Sequence, residues 1–388
     1  MKNLFDTIEL IKTQIKPILA YELVSLENAC GRVLACDIKA QKDLPAFDNS
    51  ALDGYAFKFS DKDEALTIKG VIFAGDKKDY AITKNECYKI MTGAKMPQNA
   101  DTILRVEDAF VENGKLLIKV PVRENDGHRV RGEELKAGEN LLQKGRILNA
   151  ADIMALASQG IYKVKVARKI KVGIFSSGNE LFEPWQRADE NSIYNANALA
   201  MNALLSNELC EVSYLGIIKD DLQECKKALS NSHFDLLITS GGASVGDADF
   251  MDEALSSIGY EALFKGIIIR PAKPTKLYQK GSNLVFILPG NPLSAFLSCV
   301  LVGRALLVLL SGAGFEFDFI EAVFKGNLTI KNGRNNLILG NLKDNFFVPN
   351  ENLGIMRVFN SKYLLISDFS KSEFKDKERI KILKILDF

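Results

Sequence analysis

Between residues 168 and 312, short apolar segments alternate with helical stretches, and this alternation constrains the fold more than any other feature. Short apolar runs are typical of buried strands, and strands that alternate with helical patterns are typical of a parallel sheet. The pattern predicts a doubly wound α/β domain with a mainly parallel central sheet. The predicted strands are 170–175, 212–217, 236–239, 264–269 and 284–288, and the predicted helices are 195–208, 222–230, 249–258 and 292–310.

The sequence on either side of this domain has a different pattern of apolar residues. A helix with its apolar residues on one face opens the chain, and a second helix is predicted at 149–162. Between them lie short β-type runs, two of them separated by Asn113-Gly114, a signal for a tight hairpin. The tail has short apolar runs and no convincing helix, which predicts a small β-barrel-like domain. We expect an N-terminal helical and extended domain at 1–50 plus 141–167, an inserted β-rich domain at 51–140, the α/β domain at 168–312 and the C-terminal β domain at 313–388. The β-type runs are 66–74, 87–91, 102–106 and 116–120.

Charge and cysteine content exclude several classes of protein. The chain has 388 residues and a formal net charge of +1, which argues against a mainly electrostatic nucleic-acid binder. Two histidines make a histidine-rich metal site very improbable, and the six cysteines include no C-x-x-C pair, which argues against structural zinc. The first residues are amphipathic rather than signal-like, and no apolar stretch is long enough for a membrane span. We therefore expect a cytoplasmic protein with reduced thiols and with no nucleic-acid or membrane partner.

Three of the predicted strands run into glycine-bearing loops, at 176–180, 240–247 and 289–294. Ligands of open α/β sheets bind beyond the carboxyl ends of the strands, and glycine lets the backbone approach a ligand closely. In the third loop Asn291 suits the N-cap of a helix and Pro292 its first position. None of the loops is a Walker A or a G-x-G-x-x-G motif, so we expect an anion or phosphate site and no dinucleotide cofactor.

The charges are unevenly distributed around these loops. Residues 262–315 contain no Asp or Glu but six Lys or Arg, whereas acids cluster at 247–261. A hard cation such as Mg²⁺ prefers carboxylate oxygens and often bridges them to phosphates. This arrangement predicts a metal-assisted reaction on an anionic, phosphorylated substrate, with Asp249 as the favoured ligand in the acidic cluster.

Residues 43–56 form a second dense segment, with Asp43, Asp48 and Asp53 at five-residue spacing. The segment shows neither helical nor strand periodicity and is rich in turn formers. From composition alone, a structured loop with side-chain-capped turns is the first interpretation.

The motifs together resemble the molybdopterin molybdenumtransferase family, which includes MoeA and the gephyrin E domain. D-L-P-A-F-D-N-S-A-L-D-G-Y-A at 43–56 resembles the family signature, and further segments follow in the family's order. The resemblance is good over about residues 1–312 and weak in the tail. The further segments are 90–94, 97–108, 129–134, 175–181, 193–197, 240–249, 270–274 and 288–294.

This resemblance implies a homodimer of four-domain subunits whose α/β domain binds adenylylated molybdopterin. The family reaction uses molybdate, releases AMP and leaves molybdenum on the pterin dithiolene, with assistance from Mg²⁺. The cleft lies between the α/β domain and the β-rich domain of the other subunit, which gives Asp53 and Thr92 a function. Other enzymes of molybdenum cofactor biosynthesis are further candidate partners.

The resemblance also implies roles for individual residues. Asp53, Glu180, Asp249 and, more weakly, Asp220 match the family's catalytic acids, and the first three are the expected metal ligands. Molybdate or phosphate would be held by Arg270, Lys273, Ser244 and Ser294, with Pro289 and Pro292 shaping the loop. The other expected substrate-binding residues are Thr92, Ser176, Ser177, Gly178, Gly241, Gly242, Gly246, Gly290 and Asn291.

The chain departs from the family pattern at several positions. Asn179 stands where the family usually has Asp, and Arg270 and Ala272 replace the usual Lys and Gly. We expect arginine to keep the charge but to present a planar fork, and Ala272 to limit positive φ. Ala196 replaces a common Ser, and Asn99 replaces a Gly.

Two other functions stay open at this point. A lone α/β domain of this type carries out the related adenylyl transfer in sister proteins, although the N-terminal motifs and the length argue against that function here. A non-catalytic scaffold of the gephyrin type would need a hydrophobic peptide groove, which the sequence does not reveal.

Overall fold

The computed structural model describes residues 1–230, 233–241 and 250–386. Most of its helices begin close to where the periodicity predicts them. In chain order they are α1 Leu4–Gln14, α2 Ala150–Ser158, α3 Ala196–Leu205, α4 Leu222–Leu229, α5 Phe250–Ser257, α6 Pro292–Ser298, α7 Arg304–Leu310 and α8 Gly354–Phe359, with a π-helical turn at Cys299–Gly303 and 3-10 turns at Leu26–Asn28, Phe59–Asp61 and Val106–Asp108.

The strands are mostly short. They are β1 Tyr21–Ser25, β2 Ile38–Lys39, β3 Asn49–Ser50, β4 Gly54–Phe57, β5 Leu66–Ile72, β6 Glu86–Ile90, β7 Thr102–Arg105, β8 Phe110–Glu112, β9 Lys115–Leu117, β10 His128–Arg129, β11 Asn140–Leu142, β12 Lys163–Ala167, β13 Ile170–Ser177, β14 Leu181–Phe182, β15 Ile193–Tyr194, β16 Cys210–Ile218, β17 Leu236–Ser240, β18 Glu261–Lys265, β19 Ile269–Arg270, β20 Lys276–Lys280, β21 Asn283–Leu288, β22 Phe319–Phe324, β23 Leu328–Thr329, β24 Asn335–Lys343, β25 Phe346–Pro349, β26 Tyr363–Ile366, β27 Glu373–Phe374 and β28 Arg379–Lys384.

The chain folds into two compact units. The larger comprises Met1–Cys36, Lys144–Ile153 and Lys163–Phe388, and the smaller comprises Asp37–Gln143 and Met154–Tyr162. The smaller unit contains the β-rich segment. The finer division into four domains, with its boundaries at 50, 140, 167 and 312, stays a prediction.

The smaller unit is built on a six-stranded sheet in the order β7-β4-β6-β5-β9-β8. Asn113 and Gly114 both have positive φ and connect β8 to β9, which confirms the predicted hairpin. Along β4, Tyr55 and Phe57 pack into one buried cluster and Ala56 into another, so this strand is covered on both faces. The interpretation of 43–56 as a loop throughout is therefore wrong. A strand buried on both faces lacks the polar alternation by which sequence analysis recognises one.

The larger unit contains the predicted doubly wound sheet, in the order β16-β13-β17-β21-β20-β18. The first four strands are parallel, and β20 runs antiparallel to both of its neighbours, β21 and β18, which confirms a mainly parallel sheet. The prediction of one strand at 264–269 is wrong. The chain leaves β18 at Lys265, and β19 pairs instead with β24 of the C-terminal region. Strand β20 was not predicted, because charged residues at both of its ends hide its apolar centre.

The most apolar helical run, 292–310, lies in the core of the larger unit rather than on its surface. It was predicted as one helix but is interrupted by the π-helical turn Cys299–Gly303. Among the described residues this 19-residue helical run is long and apolar enough to cross a membrane, so the expectation that no apolar stretch reaches that length is wrong. However, 72% of its apolar window is buried inside the protein. Such burial is typical of the core helix of an α/β domain.

The C-terminal region is a closed five-stranded barrel, which confirms the predicted small β domain. Strands β24, β25, β22, β28 and β26 pair in that order, and β26 pairs back to β24. The prediction that the tail has no helix is wrong, since α8 lies between β25 and β26. Helix α8 is only six residues long and has no side-chain cap, so neither periodicity nor capping reveals it.

Candidate functional site

A cavity of about 430 Å³ opens at the carboxyl edge of the parallel strands. Strand β16 pairs with one side of β13, and β17, which follows β16 in the chain, pairs with the other side, so the cavity lies where the strand order reverses. Loops that are far apart in the sequence meet there. The cavity is lined by Ser177, Gly178, Glu180, Leu181, Ile193, Tyr194, Asn195, Ala196, Asn197, Asp220, Ser240, Gly241, Gly290, Asn291 and Pro292.

Two helices begin at this cavity, and asparagine caps both of them. The Asn195 side chain accepts a hydrogen bond from the Ala198 N–H at the start of α3, and Asn291 accepts from the Ser294 N–H at the start of α6. The Asn197 Nδ2 donates to the Gly290 carbonyl at 2.8 Å and ties the first turn of α3 to the loop before α6. The predicted cap and first position of α6 are therefore confirmed.

The loops after β13 and β17 approach each other so closely that only glycine fits. Gly241 has a φ of +99°, and a Cβ there would stand 2.1 Å from the Ser177 carbonyl oxygen. Its own N–H donates to the Leu288 carbonyl at 3.2 Å, which joins it to the end of β21. This close approach brings three strand ends to one wall of the cavity.

Among the residues that the structure describes, two carboxylates face this cavity. The Ser177 hydroxyl donates to Asp220, and the Asp220 N–H lies 3.4 Å from the Asn179 Oδ1. Glu180 is exposed on the same wall. Asn179, which replaces the family's Asp, thus still offers an oxygen acceptor to the Asp220 backbone. Two carboxylates and a hydroxyl fit a hard cation that keeps several of its waters.

A buried hydrogen-bond network supports the floor of the cavity. The Ser176 hydroxyl donates to the Asn195 Oδ1 at 2.9 Å and lies 3.1 Å from the Ser240 hydroxyl. The Asn195 Nδ2 donates to the Tyr214 hydroxyl at 2.8 Å, and that hydroxyl donates to Glu183. Burial, followed by the neighbouring Glu183 carboxylate, raises the pKa of Tyr214, which therefore stays protonated. Ser176 thus acts beneath the cavity rather than in its wall.

The basic segment at 270–273 begins at the same edge of the sheet, although its side chains do not line the cavity. Lys276 pairs in register with Ile287 near the end of β21, and Lys273 lies just before it. Arg270 and Lys273 are exposed. Ala272 is buried with a φ of +88°, so the expectation that alanine would limit positive φ there is wrong. The buried methyl group packs into the main core of the larger unit, which holds the backbone in this conformation.

Asp53 and Thr92 meet in the smaller unit. Both the Thr92 N–H and the Thr92 hydroxyl donate to one Asp53 carboxylate oxygen at 2.7 Å. The hydrogen bond from the Thr92 backbone, followed by that from its hydroxyl, lowers the pKa of Asp53. Asp53 is exposed and therefore carries an accessible negative charge at neutral pH.

The remaining predicted residues fall into two groups. Pro289 follows β21, and Ser294 is a buried residue in the first turn of α6, so both shape the loop from behind. Gly242, Ser244, Gly246 and Asp249 lie outside the described residues. Within the described ranges no three His, Cys, Asp or Glu side chains cluster as a metal site. The roles of all these residues stay predictions.

Sequence reasoning missed part of the cavity wall. Tyr194, Asn195 and Asn197 line it but were noted only as part of a family motif. The available signal was Asn195, the first residue of the predicted helix 195–208 and a residue type that commonly caps a helix.

The fold and the cavity define a multidomain protein with an α/β ligand-binding domain and a C-terminal β-barrel. The sequence matches the family descriptions "MoeA N-terminal region (domain I and II)" over residues 3–160 and "Probable molybdopterin binding domain" over residues 173–307. The chain belongs to the molybdopterin molybdenumtransferase (MoeA) family.

Individual relatives agree with this assignment. The molybdopterin molybdenumtransferase of Haemophilus influenzae is 37% identical over 75% of this chain and 73% of its own. That of Nostoc sp. is 31% identical over 83% of this chain and 77% of its own. The crystal structure of a molybdopterin biosynthesis MoeA protein from Pyrococcus horikoshii OT3 matches with a TM-score of 0.85 and 26% identity, over 99% of this chain and 100% of the other.

Proposed function

We propose that this protein transfers molybdenum from molybdate to adenylylated molybdopterin and releases AMP. As a member of its family, it is a transferase of molybdenum cofactor biosynthesis. The observation that carries the finer proposal is the cavity at the carboxyl edge of the sheet, which combines close-packed glycine loops with two carboxylates. Glycine backbone suits the phosphates of the adenylyl linkage, and the carboxylates suit a cation bound to them.

Different residues of the cavity have different roles in the proposed reaction. The Gly241 and Gly290 loops orient the phosphates, and the Ser177 hydroxyl stays directed at Asp220. Glu180 and Asp220 would hold Mg²⁺, with Asp249 as the further expected ligand. When bound, the ion neutralises charge on the phosphoanhydride whose cleavage releases AMP.

The proposed assembly is a cytoplasmic homodimer. In this arrangement the Asp53 carboxylate, held ionised by Thr92, acts on the substrate bound to the partner subunit. The charged carboxylate suits either metal binding or the positioning of a water molecule at the adenylyl phosphate. Other enzymes of molybdenum cofactor biosynthesis are further proposed partners.

The direct test supplies all reactants to the wild-type protein. Incubation with adenylylated molybdopterin, molybdate and Mg²⁺ should release AMP and leave molybdenum bound to the pterin in a one-to-one ratio. AMP is measured by chromatography, and molybdenum by elemental analysis after gel filtration. A reaction without molybdate is the control. Absence of both products, or AMP release without retained molybdenum, would contradict the proposal.

Lys273→Ala tests whether the acid-free stretch holds the anionic substrate. We expect molybdate to bind roughly tenfold more weakly because an exposed cation beside the sheet edge is lost, while the thermal midpoint is unchanged. Lys280→Ala serves as the matched control. Lys280 is the last residue of β20 and pairs with Asn283 at the start of β21, away from the carboxyl edge of the sheet. Equal molybdate affinity in the two variants would remove Lys273 from the site.

A further inference from the structure

A second, apolar groove of about 220 Å³ adjoins the cavity. Ala196, Asn197 and Pro292 belong to the walls of both, so the groove and the cavity form a continuous depression. The groove differs in chemistry from the cavity, since none of the described residues in its wall is charged. Its other walls are Ala200, Met201, Phe296, Ile355, Val358 and Phe359.

The C-terminal barrel region supplies one side of this groove through α8. Helix α8 packs against α6, and Val358 is partly buried against the main core. Phe359 and Ile355 nevertheless remain 78% and 53% exposed on the groove side. Exposed aromatic and aliphatic side chains beside a polar ligand cavity are typical of a ring-binding subsite.

Among the described residues of its wall, the groove offers one polar side chain, that of Asn197. The Asn197 Nδ2 donates to the Gly290 carbonyl, and its Oδ1 accepts no hydrogen bond from the residues that the structure describes. An asparagine amide suits the amino edge of adenine, whereas the pterin ring presents several donors and acceptors that this apolar wall cannot satisfy.

We propose that this groove binds the adenine ring of the adenylylated substrate and of AMP, with α8 of the C-terminal region as one wall. The ring lies against Phe359 and Phe296, and the attached phosphate reaches the glycine loops of the adjoining cavity. The inference rests on the proposed function only for the identity of the nucleotide. It gives the C-terminal region, where the family resemblance is weakest, a direct part in binding.

Calorimetric titration of the full-length protein with AMP and Mg²⁺ tests this inference, with ribose 5-phosphate as a probe that lacks the ring. Phe359→Ala removes a stacking surface and Ala200→Phe fills the groove, and each should weaken AMP binding about tenfold without changing ribose 5-phosphate binding. Met356→Ala is the matched control, since Met356 is 51% exposed on α8 but does not line the groove.

Two outcomes would overturn the inference. These are equal AMP affinity in all variants and an equal loss of affinity for both probes. Failure of the proposed function would give a different result from failure of this inference. Wild-type protein would retain no molybdenum, while the two groove variants would still weaken AMP binding.

Discussion

Asp53→Asn is expected to lower the rate of molybdenum insertion by about 10²–10⁴-fold while leaving the fold intact, as for loss of a catalytic acid or base. Asparagine keeps a carbonyl oxygen that can accept from the Thr92 N–H and hydroxyl, so the local geometry survives. Only the charge is lost. The two donors from Thr92 lower the pKa of Asp53, and an exposed carboxylate that is ionised at neutral pH is suited to act on a metal or a phosphate.

Asp76→Asn provides the matched control for this substitution. Asp76 is in the same β-rich unit and likewise accepts from a backbone N–H, that of Phe73, and from a hydroxyl, that of Tyr80. AMP release and molybdenum retention should be unchanged in Asp76→Asn. If both variants were equally active, Asp53 would have no part in catalysis.

Mixing two inactive variants tests whether Asp53 serves the partner subunit. Random exchange between Asp53→Asn and Glu180→Gln homodimers makes half of the dimers mixed, and each mixed dimer has one intact site if the sites are shared. About a quarter of the wild-type activity should return in that case. If Asp53 and Glu180 of the same chain formed one site, every site would carry a defect and mixing would restore nothing.

Gly241→Ala is expected to destabilise the larger unit by about 3–5 kcal/mol. The added Cβ would overlap a neighbouring backbone atom, and alanine would be strained at the positive φ of this position. The new Cβ would stand 2.1 Å from the Ser177 carbonyl oxygen, and φ is +99°. The ends of β13 and β17 would have to separate, which would also break the hydrogen bond from the Gly241 N–H to Leu288. Urea unfolding, with hydrogen exchange of the β13 and β17 amides as the local readout, measures this effect.

Gly290→Ala is the matched control on the same cavity. Its Cβ would meet nothing closer than 3.9 Å, and Gly290 does not have a positive φ. We expect a change below about 1 kcal/mol, as for most substitutions without a steric conflict. A similar loss of stability in the two variants would show that the close approach of the strand ends is not what requires glycine at 241.

The carboxyl ends of parallel strands lie at one edge of a sheet. For this reason the sequence alone predicted that the glycine-bearing loops lie close together. It could not predict that Tyr194, Asn195 and Asn197 complete the wall, since these residues lie beyond the strand ends of the main sheet. The strand β4 was missed because it is buried on both faces. Asn99 illustrates the opposite case. It replaces a family glycine and adopts a φ of +71°, a conformation that asparagine tolerates.

The sequence by itself determined the local and periodic features of this protein: the α/β alternation, the cap of α6, the Asn113-Gly114 turn and the family motifs. These depend on residues close together in the chain. Only the tertiary structure decided that Ser177 holds Asp220, that Gly241 presses against the end of β13, and that α8 closes an apolar groove beside the cavity. Those contacts join segments from 40 to more than 150 residues apart. No local pattern encodes them, because their strength depends on burial and close approach, which arise only when the distant segments fold together.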